Sequence, residues 1–486
     1  MKLKNDSTDL ELFDYVNELR KQGMFLFVED KKLKYRIKKE LYNEEVINEI
    51  KVNKEDLLRY LSKAQENTLE LSSLQLAYMA GQVDGEFLNK VNAHYYIEFE
   101  KQNLNIANLE KNINLMIRKN DILRLILLSD GRGIILEKVP EYKVFKYQYN
   151  SKEDRYKMRK ILSHMKYNIE TWPMFKFVVG KKINGGNKND VLHISFDCSI
   201  LDAWSAGNMI YKLFALYEGE KISFSDVSYK DYVMNLRIYK ELAFNKRLLD
   251  EAEKYWNKMI KTLPKAPNLR TKMPINDLEE YNFKRKEYRF SKEQTDNLIH
   301  YSKLRGVTLS AILITIYMKV LSDLIETDEL TITTTLFGKL PVVKNADELL
   351  GEFTNIGLIS YKDEYKSILE SIKKTQKQIF KLLEYRCFDG INVINKARQE
   401  NGINKLFPIV VTCMIGESYN NCKNGFHEIC SLSQTPQVYL DHHIRMIDDS
   451  IVITFDYIDE LLYEEDIIWM IGKYIDVSNE ICSNFW

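Results

Sequence analysis

Residues that bend or break a backbone are scarce in this chain. Eight prolines and 19 glycines in 486 residues leave little room for long flexible connectors, and neither an internal repeat nor a low-complexity tract is present, which argues against a solenoid or a disordered protein. Cysteine is sparse too. Cys198, Cys387, Cys413, Cys422, Cys430 and Cys482 are scattered, none in a CxxC pair, so neither a disulfide framework nor a zinc ribbon is expected and the thiols should be reduced. No apolar run approaches the roughly 20 residues of a membrane span, and the opening MKLKNDSTDLELF lacks the apolar stretch of a signal peptide; the expectation is a cytoplasmic chain with no membrane partner. Excess charge of either sign is also missing. The 70 basic and 70 acidic residues cancel, removing any general pull toward nucleic acid or anionic lipid. Protein or small-molecule partners remain.

What is present begins with a unit over residues 1–63. Thr8 and Glu11 have capping-box spacing and open a helix whose Leu12, Val16 and Leu19 share one face. MFLFV and KLKYRIK then read as a hairpin in which Leu33, Tyr35 and Ile37 alternate with Lys32, Lys34, Arg36 and Lys38. One face is apolar and the other cationic. Two short helices follow, with Asn43 and Asn53 as N-caps. On the residues alone, this basic hairpin is either a solvated face or an edge that accepts a strand from another chain. The segment resembles the TubC-like N-terminal docking domains of assembly-line synthetases. The resemblance implies that the C-terminal tail of an upstream subunit binds along the hairpin at Lys32, Lys34, Arg36 and Lys38.

The remainder alternates helical and strand periodicity. HYYIEFE, GIILEKV, MFKFVVG and VLHISFD read as strands, and RIYKELAFNKRLLDEAEKYWNKMIKTL as one long helix ending at Pro264. Pro264, Pro267 and Pro274 cluster in a linker. Beyond it, helices and the strands LTITTTLF, NIGLISY, FPIVVTC, PQVYLDH and SIVITFDY repeat the same mixture. The expected architecture is two α/β lobes facing a shared cleft, at 66–262 and 285–486, joined by a linker over 263–284.

The densest chemistry lies in HISFDCSILDAWS, where Asp197 and Asp202 bracket the end of a strand and Ser205 opens a helix. Two carboxylates in one pocket can bind a metal, share a proton or hold an arginine. Elsewhere the sequence offers decoys. His442-His443 lacks the further ligands a zinc site needs. Cys198 and Cys413 have no neighbouring His–acid pattern and read as packed thiols. GKKINGGNKND has no Gly-Lys-Ser/Thr ending and reads as a loop.

DCSILDAWS has the form DxxxxDxxS, which resembles the signature of nonribosomal peptide synthetase heterocyclization domains. In related condensation domains the same strand end carries HHxxxDG; aligned on Asp202, its two histidines would fall at Asp197 and Cys198. Other segments resemble that family in order. LSSLQLAYMAGQ (71–82) is similar to LTxxQxAYxxGR, with Gln75, Ala77, Tyr78 and Gly81 in place, and RKNDILRLILLSDGRG to RHxxLRxxFxxDGxQ, with Asn120 and Gly133 departing. TLPKAPNL resembles LPxxPxLP, and LGEFTNIGLI resembles GDFTxxxLL. FPIVVTCMIG is similar to PVVFTSxLG, departing at Val411 and Cys413, and LSQTPQVYLDHH to ISQTPQVxLDHQ, with His443 replacing the terminal Gln.

The resemblance implies two chloramphenicol-acetyltransferase-like lobes in a V around a tunnel. It implies joining of a carrier-bound acyl donor to carrier-bound Cys, Ser or Thr, then cyclodehydration to a thiazoline or oxazoline. Thr412 and Asp441 would handle protons during water loss. Asp197 and Asp202 would join them in the catalytic set, mainly by shaping the cleft and supporting condensation, with Arg124 as the expected partner of Asp202, and Ser205, Gln434, Tyr78 and Cys413 would support substrate. No metal or bound cofactor is implied beyond the 4'-phosphopantetheine arms of donor and acceptor carrier proteins. Two alternatives stay open: an acyltransferase forming amide or ester without a ring, and a silent docking scaffold.

Overall fold

The computed structural model describes residues 3, 7–37, 42–81, 91–183, 189–279, 281–363, 367–401, 407–419 and 425–483. The N-terminal unit comprises α1 (Asp9–Lys21), β1 (Met24–Glu29), β2 (Lys32–Ile37), α2 (Glu44–Val52) and α3 (Lys54–Glu66). The Thr8–Glu11 capping box forms as expected, and β1 pairs antiparallel with β2, Phe27 opposite Lys34. Leu12, Val16, Leu26, Ile47, Ile50 and Leu57 make its small core. Lys38 lies outside the described residues.

The first lobe contains β3 (Thr68–Glu70), α4 (Ser73–Ala80), β4 (His94–Gln102), α5 (Ile106–Lys119), β5 (Leu125–Leu127), β6 (Arg132–Ile135), β7 (Phe145–Tyr149), α6 (Lys152–Ser163), β8 (Phe175–Lys182), β9 (Asn189–Asp197), α7 (Ala203–Tyr217), α8 (Tyr229–Glu241) and α9 (Ala243–Met259). The single long helix read from the sequence is two helices. At Leu242 the backbone is extended, and Asn245 Nδ2 donates to the Tyr239 carbonyl at 2.6 Å, satisfying an acceptor at the break.

The second lobe contains β10 (Phe283–Arg289), α10 (Lys292–Arg305), α11 (Leu309–Leu324), β11 (Glu329–Leu336), β12 (Asn355–Lys362), α12 (Ile368–Glu384), α13 (Gly390–Asn401), β13 (Ile409–Tyr419), β14 (His427–Gln434), β15 (Leu440–Ile447), β16 (Ser450–Ile458) and α14 (Glu464–Ser483). Its mixed sheet runs β10-β16-β15-β13-β11-β12. The linker lies along this lobe: Thr271 bridges to Leu462, and Thr331 Oγ1 donates to the Pro264 carbonyl at 2.8 Å. No single helix among the described residues is long and apolar enough to cross a membrane.

The two halves of the chain interlock. The first lobe's sheet runs β14-β4-β9-β8-β7, so its edge strand comes from the second half, with His427 opposite Glu100 and Gln434 opposite His94. Phe426, just before that strand, stacks on Phe214 at 3.7 Å, and Leu350 is buried in the same core. The first lobe is therefore not built from residues 66–262 alone. HEICSLSQ carries polar residues on both faces, which hides it from a search for alternation.

Candidate functional site

Between the lobes lies a cavity of about 1290 Å³, larger than the roughly 300–1,000 Å³ of ordinary small-molecule sites. Strand alternation decides what it sees. On β13, Val410, Thr412 and Met414 line it, while Val411 and Cys413 belong to the second lobe's core. On β15, Asp441, His443, Arg445 and Ile447 line it in a row. From the first lobe come Tyr78 on α4, Tyr95 on β4, and Cys198 and Asp202 beyond β9. Glu352 adds a carboxyl from the segment before β12.

Parallel pairing of β13 with β15 sets Thr412 beside His443 and Val410 beside Asp441. Thr412 Oγ1 donates to Asp441 Oδ1 at 3.4 Å, so the two residues singled out for proton handling meet on the cavity wall. On the other side, Asp441 lies directly opposite Asp456 of β16. Like charges in that position repel, and a guanidinium and an imidazole lie against them. Arg285 of β10 holds Asp456 through Nε at 2.6 Å and Nη2 at 2.5 Å, while His443 Nε2 lies 3.0 Å from Asp441 Oδ2 and 3.7 Å from Asp456 Oδ2. Arg285 also touches Ser431. Further along, Arg445 Nη1 donates to Glu428 Oε1 at 3.2 Å; burial opposes ionisation of Glu428, but Arg445, Ser431 and Arg285 together hold its carboxyl below the usual range.

The adjacent histidines part company by alternation. His442 points into the core between Tyr317 and Phe455, ring centroids at 4.3 and 4.4 Å, and burial pushes its pKa down to about 3. His443 faces the cavity. Among the described residues there is no cluster of three or more His, Cys, Asp or Glu that could hold a metal.

Asp202 is the N-cap of α7. Its Oδ1 accepts from Ser205 N at 2.6 Å, and its Oδ2 accepts from Phe353 N at 3.1 Å. Ser205 Oγ accepts from Gly351 N at 3.2 Å, and Asp202 N donates to the Gly351 carbonyl at 3.0 Å. The pair thus clasps the 351–353 segment to the first lobe. A Cβ on Gly351 would sit 2.4 Å from the Tyr229 ring, so glycine is needed for this approach. The expected Arg124–Asp202 pair is not formed. Arg124 donates to the carbonyls of Leu136, Ile117 and Arg118, filling acceptors left open near the end of α5. Asp197 is fully buried and not on the cavity wall; its Oδ1 accepts from Ser199 N at 2.9 Å, and burial raises its pKa to about 6.

Gln434 donates to the Ser163 carbonyl at 2.6 Å, fastening β14 to the end of α6. Cys413 lies on the core side, where burial pushes its thiol up to about 11; the Cys198 thiol on the wall is also held protonated by burial and nearby carboxylates. Tyr78 is kept protonated by burial, then by Glu352, Cys198 and Asp441. Glu352 itself is pushed up to about 8 by burial and by Asp202. The residues that sequence reasoning missed here, Arg285, Glu352, Glu428, Arg445 and Asp456, come from strands and loops far apart in the chain. His443 had a signal, its departure from the terminal Gln.

On the N-terminal unit, Lys32 and Lys34 are exposed, and Lys34 pairs with Glu29 across the hairpin. Arg36 is engaged elsewhere. It lies over Phe25 at 5.0 Å and reaches Ser129 and Glu170 of the first lobe.

A condensation-type acyl-transfer fold with a cleft between two lobes is what this geometry defines. The condensation domain family model matches residues 65–484, and the chain belongs to that family; the TubC N-terminal docking domain model matches residues 13–63. The chain is 24% identical over 438 residues to pyochelin synthetase PchE of Pseudomonas aeruginosa, covering 87% of this chain and 30% of that protein. It is 21% identical over 392 residues to phenyloxazoline synthase MbtB of Mycobacterium sp., covering 79% and 33%. The chain thus spans about a third or less of these relatives. It shares its fold with the EpoB NRPS cyclization-docking bidomain of Sorangium cellulosum, at a TM-score of 0.78 and 23% identity over 97% of this chain and 98% of that one.

Proposed function

We propose that this chain is a nonribosomal peptide synthetase heterocyclization unit. It condenses a carrier-bound acyl or peptidyl donor with carrier-bound Cys, Ser or Thr, then closes a thiazoline or oxazoline ring by loss of water. The observation that carries the reading is the Thr412–Asp441 contact in the inter-lobe cavity. Support comes also from the departures at Val411 and Cys413, which fall on the core side of β13 and leave the cavity face unchanged. The Asp at 197 and Cys at 198 supply no imidazole where the condensation signature would place two.

Amide oxygen leaves poorly, so ring closure needs a proton delivered to it and another taken from nitrogen. In this proposal the acceptor's thiol or hydroxyl adds to the new amide carbonyl. Asp441, with Thr412 on its Oδ1, then protonates the departing oxygen and recovers the proton lost by nitrogen. Both substrates ride on phosphopantetheine arms of partner carriers. The exposed Lys32 and Lys34 on the docking hairpin attract an acidic tail of an upstream subunit, raising the local concentration of donor.

The test is intact-mass analysis of products after mixing the chain with donor-loaded and Cys-, Ser- or Thr-loaded carriers. A product lighter by one water than the linear adduct supports the reading; linear product alone marks an acyltransferase without cyclization, and no product marks a scaffold. For docking, Lys32→Glu with Lys34→Glu should slow transfer from an upstream subunit bearing its native tail. Transfer from a tail-less donor carrier should be unchanged; equal slowing of both would remove the docking role.

A further inference from the structure

His443 is a cavity group to which the proposed ring closure gives no role. Its surroundings are unusual: two carboxylates face each other across β15 and β16, and the imidazole Nε2 sits within 3.0 Å of one and 3.7 Å of the other. Asp441, His443 and Asp456 are 7%, 6% and 0% exposed, so the repulsion is poorly screened by water. Asp456 has its own counter-ion, since Arg285 engages both its oxygens and Ser433 N donates to Oδ2 at 2.9 Å. Among the described residues, the basic side chain paired with Asp441 is His443. Thr412 occupies Oδ1 with a neutral hydroxyl, and Oδ2 faces the imidazole Nε2 at 3.0 Å, a ring nitrogen that is buried with no aligned hydrogen-bond partner of its own.

We propose that His443 and Asp441 act as one proton-holding pair, in which His443 is the positioning residue that keeps a proton at Asp441 Oδ2. The chemical use of the pair rests on the heterocyclization reading. The other charged or titratable groups around it are already committed: Arg285 from β10 to Asp456, and Glu428 from β14 to Arg445 from β15. From the opposite lobe Tyr78 and Cys198 come within electrostatic reach of Asp441, and both stay protonated. His442, on the other side of the strand, is neutral in the core. A glutamine at position 443, as in the resembled motif, offers an amide of fixed protonation. An imidazole can take up or release a ring proton, which an amide cannot.

During ring closure the pair carries one proton, on either Nε2 or Oδ2. When the C–O bond breaks, that proton leaves with the oxygen as water. The proton released by nitrogen as the C=N bond forms returns to the pair, which ends as it began. No oxidant or external acid is consumed.

The test has two arms. In the unliganded chain, labelled histidine ring nitrogens are followed from about pH 5 to about pH 9, with His443→Gln assigning the signal. His443 should hold its proton to higher pH in the wild type than in Asp441→Asn, or in Asp441→Ser if the first variant does not fold; identical titration curves overturn the pair. In the carrier assay, His443→Gln should slow ring formation at neutral pH by about 10- to 100-fold, at or below the lower end of general acid–base contributions. It should also abolish the fall in ring formation toward alkaline pH and leave the condensation KM unchanged. A wild-type rate and pH profile in His443→Gln overturns the proposal. If the wild type forms no ring, the heterocyclization reading fails, and the titration arm alone decides the pair.

Discussion

A carboxyl does different work in this molecule according to what touches it. Asp441 faces the cavity between a hydroxyl and an imidazole. Asp441→Asn should therefore lose ring closure by roughly 100- to 10,000-fold, the scale of a general acid–base group, while linear product accumulates in the mass spectrum; ring formation at the wild-type rate would end that assignment. Glu352, 3% exposed, has its pKa pushed up to about 8 by burial and by Asp202. Because its folded pKa lies above its unfolded value, the stability it contributes is complete below about pH 4.5 and is lost as pH rises through about 8. Glu352→Gln mimics the protonated form. Its Tm should fall less than that of wild type between mildly acidic and mildly alkaline buffer; parallel curves would show that Glu352 is not the group responsible.

At the scale of elements, the junction between lobes is a set of helix and strand ends. Asp202 caps α7 and also binds Phe353 N. Asp202→Ala removes a cap worth about 0.5–2 kcal/mol and strands a donor from the opposite lobe. A lowered Tm is expected, with condensation and cyclization reduced together. If only cyclization fell, Asp202 would belong to the ring-closing chemistry instead. Gly81 closes α4 against Pro436, where a Cβ would lie 2.4 Å from the Pro436 Cβ, so this junction too depends on close approach.

For the whole molecule, the N-terminal unit and the first lobe are packed rather than tethered. Phe13 of α1 enters the first lobe's core, and Asn17 exchanges two 3.2 Å hydrogen bonds with the backbone of Trp172. α3 runs almost directly into β3. Buried histidines weaken the fold toward acid. His94, His193 and His442 have pKa values pushed down to about 3, 4 and 3, chiefly by burial. Each contributes stability that is present above about pH 6.5 and is lost as pH falls through its folded value. Glu352 and Asp197, with raised pKa values, act the other way until both are protonated in the unfolded chain as well. Chemical denaturation should therefore give a midpoint that declines as pH falls below about 4.5; a flat midpoint from there to about pH 3 would contradict the neutral, buried state.

Local pattern determined much of this protein. The capping box at Thr8, the alternation of Leu33, Tyr35 and Ile37 with cations, and the strand end at Asp197 follow from residue spacing, because side-chain direction has a fixed period in each element. The same alternation puts Thr412 and Asp441 on definite faces of their strands. Only tertiary structure decided that those faces meet, that His443 falls between two carboxylates, and that Arg285 serves Asp456. It also sent Arg124 to helix-end carbonyls rather than to Asp202, and Arg36 onto the first lobe. It lent β14 to a sheet in the other half of the chain. These are choices of partner among groups far apart in sequence, and burial and strand register settle them where local spacing has no say.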